Sequence, residues 1–389
     1  MKPLNIACIG GGTGLSTLLR GFRQYARAND GGPYDMDELT AIVSVSDDGG
    51  SSGKLIDEFG VLPPGDIRNC LVALAEENET MSRLFEYRFD SNGALRGHSV
   101  GNLLLIALTD LFGTFPLAIR EAARVLAVRG RILPVTVEQT LLCAELVDGD
   151  IVCGESNIPD RRNRAPIRRV FLKRRLENGA GVQELASDSI KAHPEAVKAI
   201  VEADAVVIGP GSLYTSILPN IVVPGIADAL RQSKALMIYV GNVMIEPGET
   251  DGFSLADHVS AVRRHGDLRI DYVLANSGLA SDALLRRYYR QAQQAQRPSD
   301  NSKQWTSFND FMNQIDPAAD PRDPPERALV QTLYRPDVDD VAPAEIVEEN
   351  LIWEADIQER GEKLRVLRHH PLKLADAIAR LLEKRYGER

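Results

Sequence analysis

The sequence predicts an α/β fold built on a doubly wound, mostly parallel β-sheet. Short apolar runs, LNIACI from Leu4, LTAIVSV from Leu39, AVVI before Gly209, LMIYV before Asn242 and DYVLAN from Asp271, alternate with stretches whose leucines and alanines recur at helical spacing. Several of these runs exit into glycine or small polar residues, as a strand does when it turns into a following helix.

Taken in order, Leu4 to Ile9 predicts a buried strand. Gly10, Gly11, Gly12 and Gly14 mark the turn, and TGLSTLLRGF from Thr13 carries a helical leucine pattern. The strand from Leu39 ends in the polar run Ser46 to Lys54, which reads as a second loop. LPPGDIRNCLVALAEE predicts a helix with Asp66 as its N-cap. Two further helices are expected from Ser99 and from Pro116. From about Gly130 the texture changes to short β-like runs separated by Asp-Gly and Asn-Gly turns, which predicts a small antiparallel insertion. The α/β pattern returns with a helix from His193 to Glu202 and strands ending at Gly209 and Asn242. Residues 291–342 are rich in Gln, Pro and Asp and predict a flexible excursion. The tail resumes a strand, LRVLRHH, and ends in a helix from Pro371. The expected organisation is therefore 1–130 and 191–290 as two parts of one α/β domain, 131–190 as a β-rich insertion, 291–342 as the excursion, and 343–389 as a C-terminal strand and helix.

With 44% hydrophobic and 26% charged residues, the 389-residue chain has the balance of a globular protein with a sizeable core. A formal net charge of −10 argues against general nucleic-acid binding, which needs a basic face. The arginines between Arg161 and Arg175 read as a solvated face. No apolar run reaches the roughly 18 residues of a membrane span, and neither membrane insertion nor a signal peptide is expected. The four cysteines, Cys8, Cys70, Cys143 and Cys153, lack CxxC spacing; neither a zinc site nor a disulfide framework is expected, and a reducing cytoplasm fits.

Chemistry is expected at the strand exits. A glycine loop between strand and helix presents backbone N–H groups where the helix dipole favours an anion, so Gly10, Gly11, Gly12, Thr13 and Gly14 suit phosphate; a plain tight turn is the alternative. The dinucleotide fingerprint fails because Leu15 stands where its last glycine belongs and Asp47 lies too far on for a ribose-binding acid, which weakens an NAD-dependent dehydrogenase reading. The Walker pattern fails because Lys54 is followed by Leu55. Asp47 and Asp48, with Ser51 and Ser52 behind them, could hold Mg²⁺ beside ligand phosphates, bond sugar hydroxyls, or simply form a solvated turn. Gly209, Gly211, Ser212, Thr215 and Ser216 repeat the anion-cradle logic on a second loop. Asp66, Arg68 and Asn69 follow a Pro-Pro-Gly turn and offer a guanidinium and an amide, or merely a capped helix. His98 and Asn102, four apart, share a helix face, although a lone histidine is more often structural. Asn242 closes a strand at the same edge.

The segments IGGGTGLSTLLRGF, VSVSDDGGSSGKL, LPPGDIRN, HSVGNLLL, GESNI, ADAVVIGPGSLYTSILPN and YVGNVM together resemble the gluconeogenesis-factor family (YvcK-type, UPF0052). That family is similar to the CofD-type 2-phospho-L-lactate transferases. The likeness covers about residues 4–280 and the tail from 343; the stretch near 290–340 is longer than the family pattern. The resemblance implies a Rossmann-like fold that binds a UDP-sugar such as UDP-N-acetylglucosamine at the loops named above. It also implies a regulatory role in cell shape and envelope synthesis on gluconeogenic carbon sources. Regulatory protein partners and a homo-oligomer are separate expectations, open at this point. Arg368 resembles a family arginine facing the UDP-sugar, although His370 and Pro371 replace an acidic residue expected nearby. The alternative is a Mg²⁺-dependent transferase of a phosphorylated small molecule. No Ser-His-Asp order or histidine metal cluster stands out, which favours a binding protein over an enzyme.

Overall fold

A computed structural model describes residues 4–28, 34–76, 79–90, 93–175, 189–285, 287–288, 331–336, 338–359 and 362–387. Most of the stretch expected to be a flexible excursion lies outside these residues.

The main sheet has seven strands. In chain order they are β1 (Leu4–Gly10), β2 (Tyr34–Val43), β3 (Arg131–Pro134), β7 (Ala205–Ile208), β8 (Leu236–Val240), β9 (Tyr272–Asn276) and β10 (Glu345–Glu349). They lie in the order β10-β9-β8-β7-β1-β2-β3, and every neighbouring pair is parallel. The apolar runs are explained by burial on both faces: Cys8, Ile9, Ala41, Ile42, Val43, Val206, Val207, Ile208, Ile238, Tyr239 and Val240 are fully buried. Strand order reverses between β1 and β7. Right-handed crossovers, the rule for parallel strands, would put the helices that follow β1 and β2 on one face and those that flank β7 on the other.

One half carries α1 (Gly12–Ala28), α2 (Gly50–Phe59), α3 (Gly65–Leu74), α4 (Glu79–Glu86), α5 (Val100–Phe112) and α6 (Phe115–Val125). The other carries α8 (Pro194–Glu202), α9 (Leu218–Ile221, preceded by a π turn over Leu213–Ile217), α10 (Ile226–Gln232) and α11 (Leu255–Gly266). A final helix, here α12 (Pro371–Tyr386), packs on α1. The approach is close enough that Gly21 has no room for a Cβ beside the Pro371 carbonyl. The insertion is a three-stranded antiparallel sheet of β4 (Thr140–Leu146), β5 (Ile151–Cys153) and β6 (Ile167–Arg174), with the short α7 (Asn157–Asp160) between β5 and β6. A two-stranded hairpin, β11 (Ile352–Glu359) and β12 (Glu362–His369), stands apart from both sheets.

Several expectations change. The strand at Arg131–Pro134 belongs to the main sheet beside β2, not to the insertion, because its Ile132 and Leu133 are buried against the core. The polar run after Ser46 is a loop only to Gly49 and then enters α2. Asp66 does not cap α3, whose N-cap is Pro64; it lies in the helix's first turn. Cys143 and Cys153 form a disulfide, since β4 and β5 set them directly opposite one another across the Asp148-Gly149-Asp150 turn. That pairing removes the cysteine argument for a reducing compartment. The last part of the expected excursion is packed: Gln331 is buried, donates to the Gly278 carbonyl (2.6 Å) and accepts from Ala280 N (3.2 Å).

Among the described residues no single helix is long and apolar enough to cross a membrane. The pair Leu213–Ile221 and Ile226–Gln232, bent by 73°, passes only when taken together, and many of its side chains are core residues here.

Candidate functional site

In open parallel sheets, ligands bind beyond the carboxyl ends of the strands where their order reverses. Here that place is the junction of β1 and β7, and both glycine loops exit there. The loops touch: a Cβ on Gly14 would collide with the Pro210 carbonyl, and one on Gly11 would stand 2.7 Å from Asp66 Oδ2 and 3.5 Å from Ser216 Cβ. Gly12 and Gly209 adopt φ of 60° and 83°, which favours glycine at both turns. Asn220, fully buried, joins the loops by donating to the carbonyls of Gly10 (3.0 Å) and Ser216 (2.8 Å).

On the β2 side a polar network gathers residues far apart in sequence. Arg68 donates to Ser99 Oγ (2.6 Å), Asn102 Oδ1 (3.0 Å) and Asn69 Oδ1 (2.7 Å). Asn102 donates to Ser51 Oγ (3.3 Å), which in turn meets His98 Nδ1 at 2.9 Å. Arg68 is buried, its Nε has no partner, and no carboxylate pairs with it among the described residues. Burial pulls its pKa down to about 10, so it remains charged at neutral pH with its charge uncompensated by direct contact. Ser52 donates to Asp47 Oδ2 (2.7 Å) and Gly49 N to Asp47 Oδ1 (3.0 Å). Asp48 faces the insertion, accepting from Glu155 N, Ser156 N and Ser156 Oγ, each at 2.9 Å.

The loop after β7 is not an open cradle. Ser212 donates to Glu246 Oε1 (2.8 Å), while Tyr214 N (3.2 Å) and Thr215 Oγ1 (3.0 Å) donate to Glu249. Carboxylates therefore already fill anion positions at this turn. Burial, aided by neighbouring carboxylates, pushes Asp66 up to about 7 and Glu155 up to about 8. Burial pushes Glu246 up to about 7, and Glu249 rises through burial and the nearby Glu246. Arg368 reaches in from β12 to Thr13 Oγ1 at 3.5 Å. Asn242 is buried at the end of β8 with Oδ1 unpartnered. Buried polar atoms without a partner among the described residues include Ser44 Oγ, Arg68 Nε, Asn220 Oδ1, Tyr239 Oη, Asn242 Oδ1 and Glu246 Oε2 near this edge.

The donor set does not fit a metal caged by protein. Asp48 is taken up by backbone and serine donors, and no group of three or more His, Cys, Asp or Glu ligands is assembled among the described residues. Sequence reasoning missed Glu155, Glu246, Glu249 and Asn220. For Asn220 and Glu155 a signal existed, because Asn220 ends the run that begins at the second glycine loop and Glu155 lies in the segment GESNI; Glu246 and Glu249 gave none.

The family pattern described as 2-phospho-L-lactate transferase CofD matches residues 6–309. A gluconeogenesis factor of Bacillus subtilis is 45% identical over 288 residues, 74% of this chain and 83% of that protein. The chain belongs to the gluconeogenesis-factor group of the CofD family. Relatives of that description from Clostridium acetobutylicum and Nostoc sp. are 44% and 48% identical over 74% of this chain, but the match spans 59% and 58% of their own length. A crystal structure of a UPF0052-family protein from Bacillus halodurans superposes with a TM-score of 0.76 at 36% identity, covering 97% of this chain and 99% of that one. The fold is thus shared with that UPF0052-family protein.

Proposed function

We propose that this gluconeogenesis-factor homologue is a cytoplasmic regulatory protein that binds a UDP-sugar, such as UDP-N-acetylglucosamine, across the β1/β7 junction. We connect that binding to control of cell shape and envelope synthesis during gluconeogenic growth, exerted on protein partners. The observation that carries the reading is the meeting of the two glycine loops at the strand-order reversal, where Asp66 of α3 lies against Gly11, with the buried, unpaired charge of Arg68 two residues on in the same helix. The diphosphate lies over the loop from Gly10 to Gly14, between Arg68 and Arg368. Asp47, Asp66, Glu155 and Glu246 face sugar hydroxyls, or a Mg²⁺ ion that arrives with the phosphates and keeps most of its water.

The CofD description favours one rival, a transferase of a phosphorylated small molecule. Calorimetry with UDP-sugars, GDP and NAD, each with and without Mg²⁺, tests the binding claim, and UDP-sugar is expected to bind best. Prolonged incubation with UDP-sugar, Mg²⁺ and acceptors should leave the nucleotide intact. Repeated, stoichiometric conversion would establish the transferase instead.

A further inference from the structure

In the β11/β12 hairpin, Trp353 lies directly opposite Arg368. Residues so paired project from the same face with Cβ atoms roughly 4.5 to 5.5 Å apart. The other face of the hairpin is buried: Ile352 and Leu367 pack with Val243, Ala280, Leu284 and Leu285. Arg368 extends from the opposite face to Thr13, in the first turn of α1. The indole of Trp353 therefore stands one side chain away from the glycine loop.

That indole is exposed yet held. It is 43% accessible, and one edge packs on the His370 ring with centroids 5.1 Å apart. His370 is itself fixed as the N-cap of α12, accepting from Lys373 N at 3.4 Å. Helix α12 is in turn locked to the first half of the sheet, by the close approach of Pro371 to Gly21 and by the Tyr34 hydroxyl donating to the Ala375 carbonyl. The position of Trp353 relative to α1 is thus set by packing on both sides, while much of the ring still meets solvent. An aromatic ring on a rigid mount, next to an arginine that reaches a phosphate-type loop, matches what a nucleotide needs one ribose away from its phosphates.

We propose that Trp353 is the stacking platform for the base of the bound nucleotide, with Arg368 spanning from base to phosphate. This rests on the nucleotide reading above and adds to it the place and chemistry of the base. A π-face accepts any base, so Trp353 distinguishes base-bearing ligands from base-free ones, while selection among bases falls to hydrogen bonds elsewhere.

The test uses full-length protein carrying Trp305→Phe, so that Trp353 is the only tryptophan, with UDP-N-acetylglucosamine and inorganic pyrophosphate as probes. Nucleotide should quench Trp353 fluorescence and pyrophosphate should not. Trp353→Ala should weaken UDP-N-acetylglucosamine binding by roughly five- to a hundredfold. Trp353→Phe should restore most of it, and pyrophosphate affinity should stay within about twofold throughout. An unchanged nucleotide affinity in Trp353→Ala, or an equal loss for both probes, overturns the platform and leaves the nucleotide reading standing. Failure of the parent protein to bind any nucleotide overturns the reading itself, and the platform with it.

Discussion

Asp66, Glu155 and Glu246 hold carboxyls in surroundings that retain protons, and this sets a direction for stability against pH. Their folded pKa values, about 7, 8 and 7, stand above the roughly 4 of an unfolded carboxyl. Between those limits the folded chain binds more protons than the unfolded one, so stability falls as pH rises. Histidines act the other way: burial holds His369 down to about 4, so stability is lost as pH falls below the unfolded histidine value near 6.5. From pH 8.5 down to about 7 the raised carboxyls, joined at the upper end by the thiols of Cys8 and Cys70, which burial also raises, should all act in one direction, and the ligand-free melting temperature should climb. Asp66→Asn should flatten that climb; a melting curve insensitive to pH in both proteins contradicts the assignment. A second residue-level expectation concerns Asn220. Asn220→Ala leaves the Gly10 and Ser216 carbonyls without their side-chain donor, at about 1–3 kcal/mol in urea unfolding, and should loosen nucleotide binding as well.

At the scale of elements, the two glycine loops bear on each other at Gly14 rather than Gly12. Gly14→Ala drives a methyl into the Pro210 carbonyl and should separate the loops, abolishing nucleotide binding in calorimetry. In Gly12→Ala the Cβ would stand 3.4 Å from Ser216 Oγ, a tighter contact than usual but with a single movable hydroxyl. The main penalty there is the left-handed backbone, about 1–2 kcal/mol, and binding should persist. Reducing the Cys143–Cys153 bridge reopens a short loop and should lower stability by about 2–3 kcal/mol, read as a melting shift with and without a dithiol. The strand, glycine turn and helix units were legible in sequence because each is a local pattern. So were Ser51, Arg68, Asn69, His98 and Asn102, each recognisable as polar residues at strand exits or helix starts. Their assembly into one network was not legible, since Ser51 and Asn102 meet only when α2 and α5 pack. Nothing local shows that the carboxyls of Glu246 and Glu249 take hydrogen bonds from the loop after β7. Strand β3 was misassigned because a four-residue run, Arg131 to Pro134, reads alike in a sheet edge or a hairpin.

For the whole molecule, a net charge of −10 faces an incoming nucleotide with charge of its own sign. Encounter is then slowed rather than steered, so the association rate should rise as salt goes from about 20 to 200 mM, where the Debye length shortens to about 10 Å or less. Stopped-flow measurements showing a rate that drops with salt would point to a locally positive entrance instead. The order of the strands also has a consequence for how the chain is made. β1 must wait for β7, which begins about 200 residues later, and β9 gains its outer neighbour only when residues 345–349 arrive. Until then a growing chain carries an unpaired, largely apolar strand edge of the kind that templates aggregation, and pairing over such separations is slow. Synthesis of this protein should therefore lean on chaperones that shield nascent chains, more than its final stability would suggest.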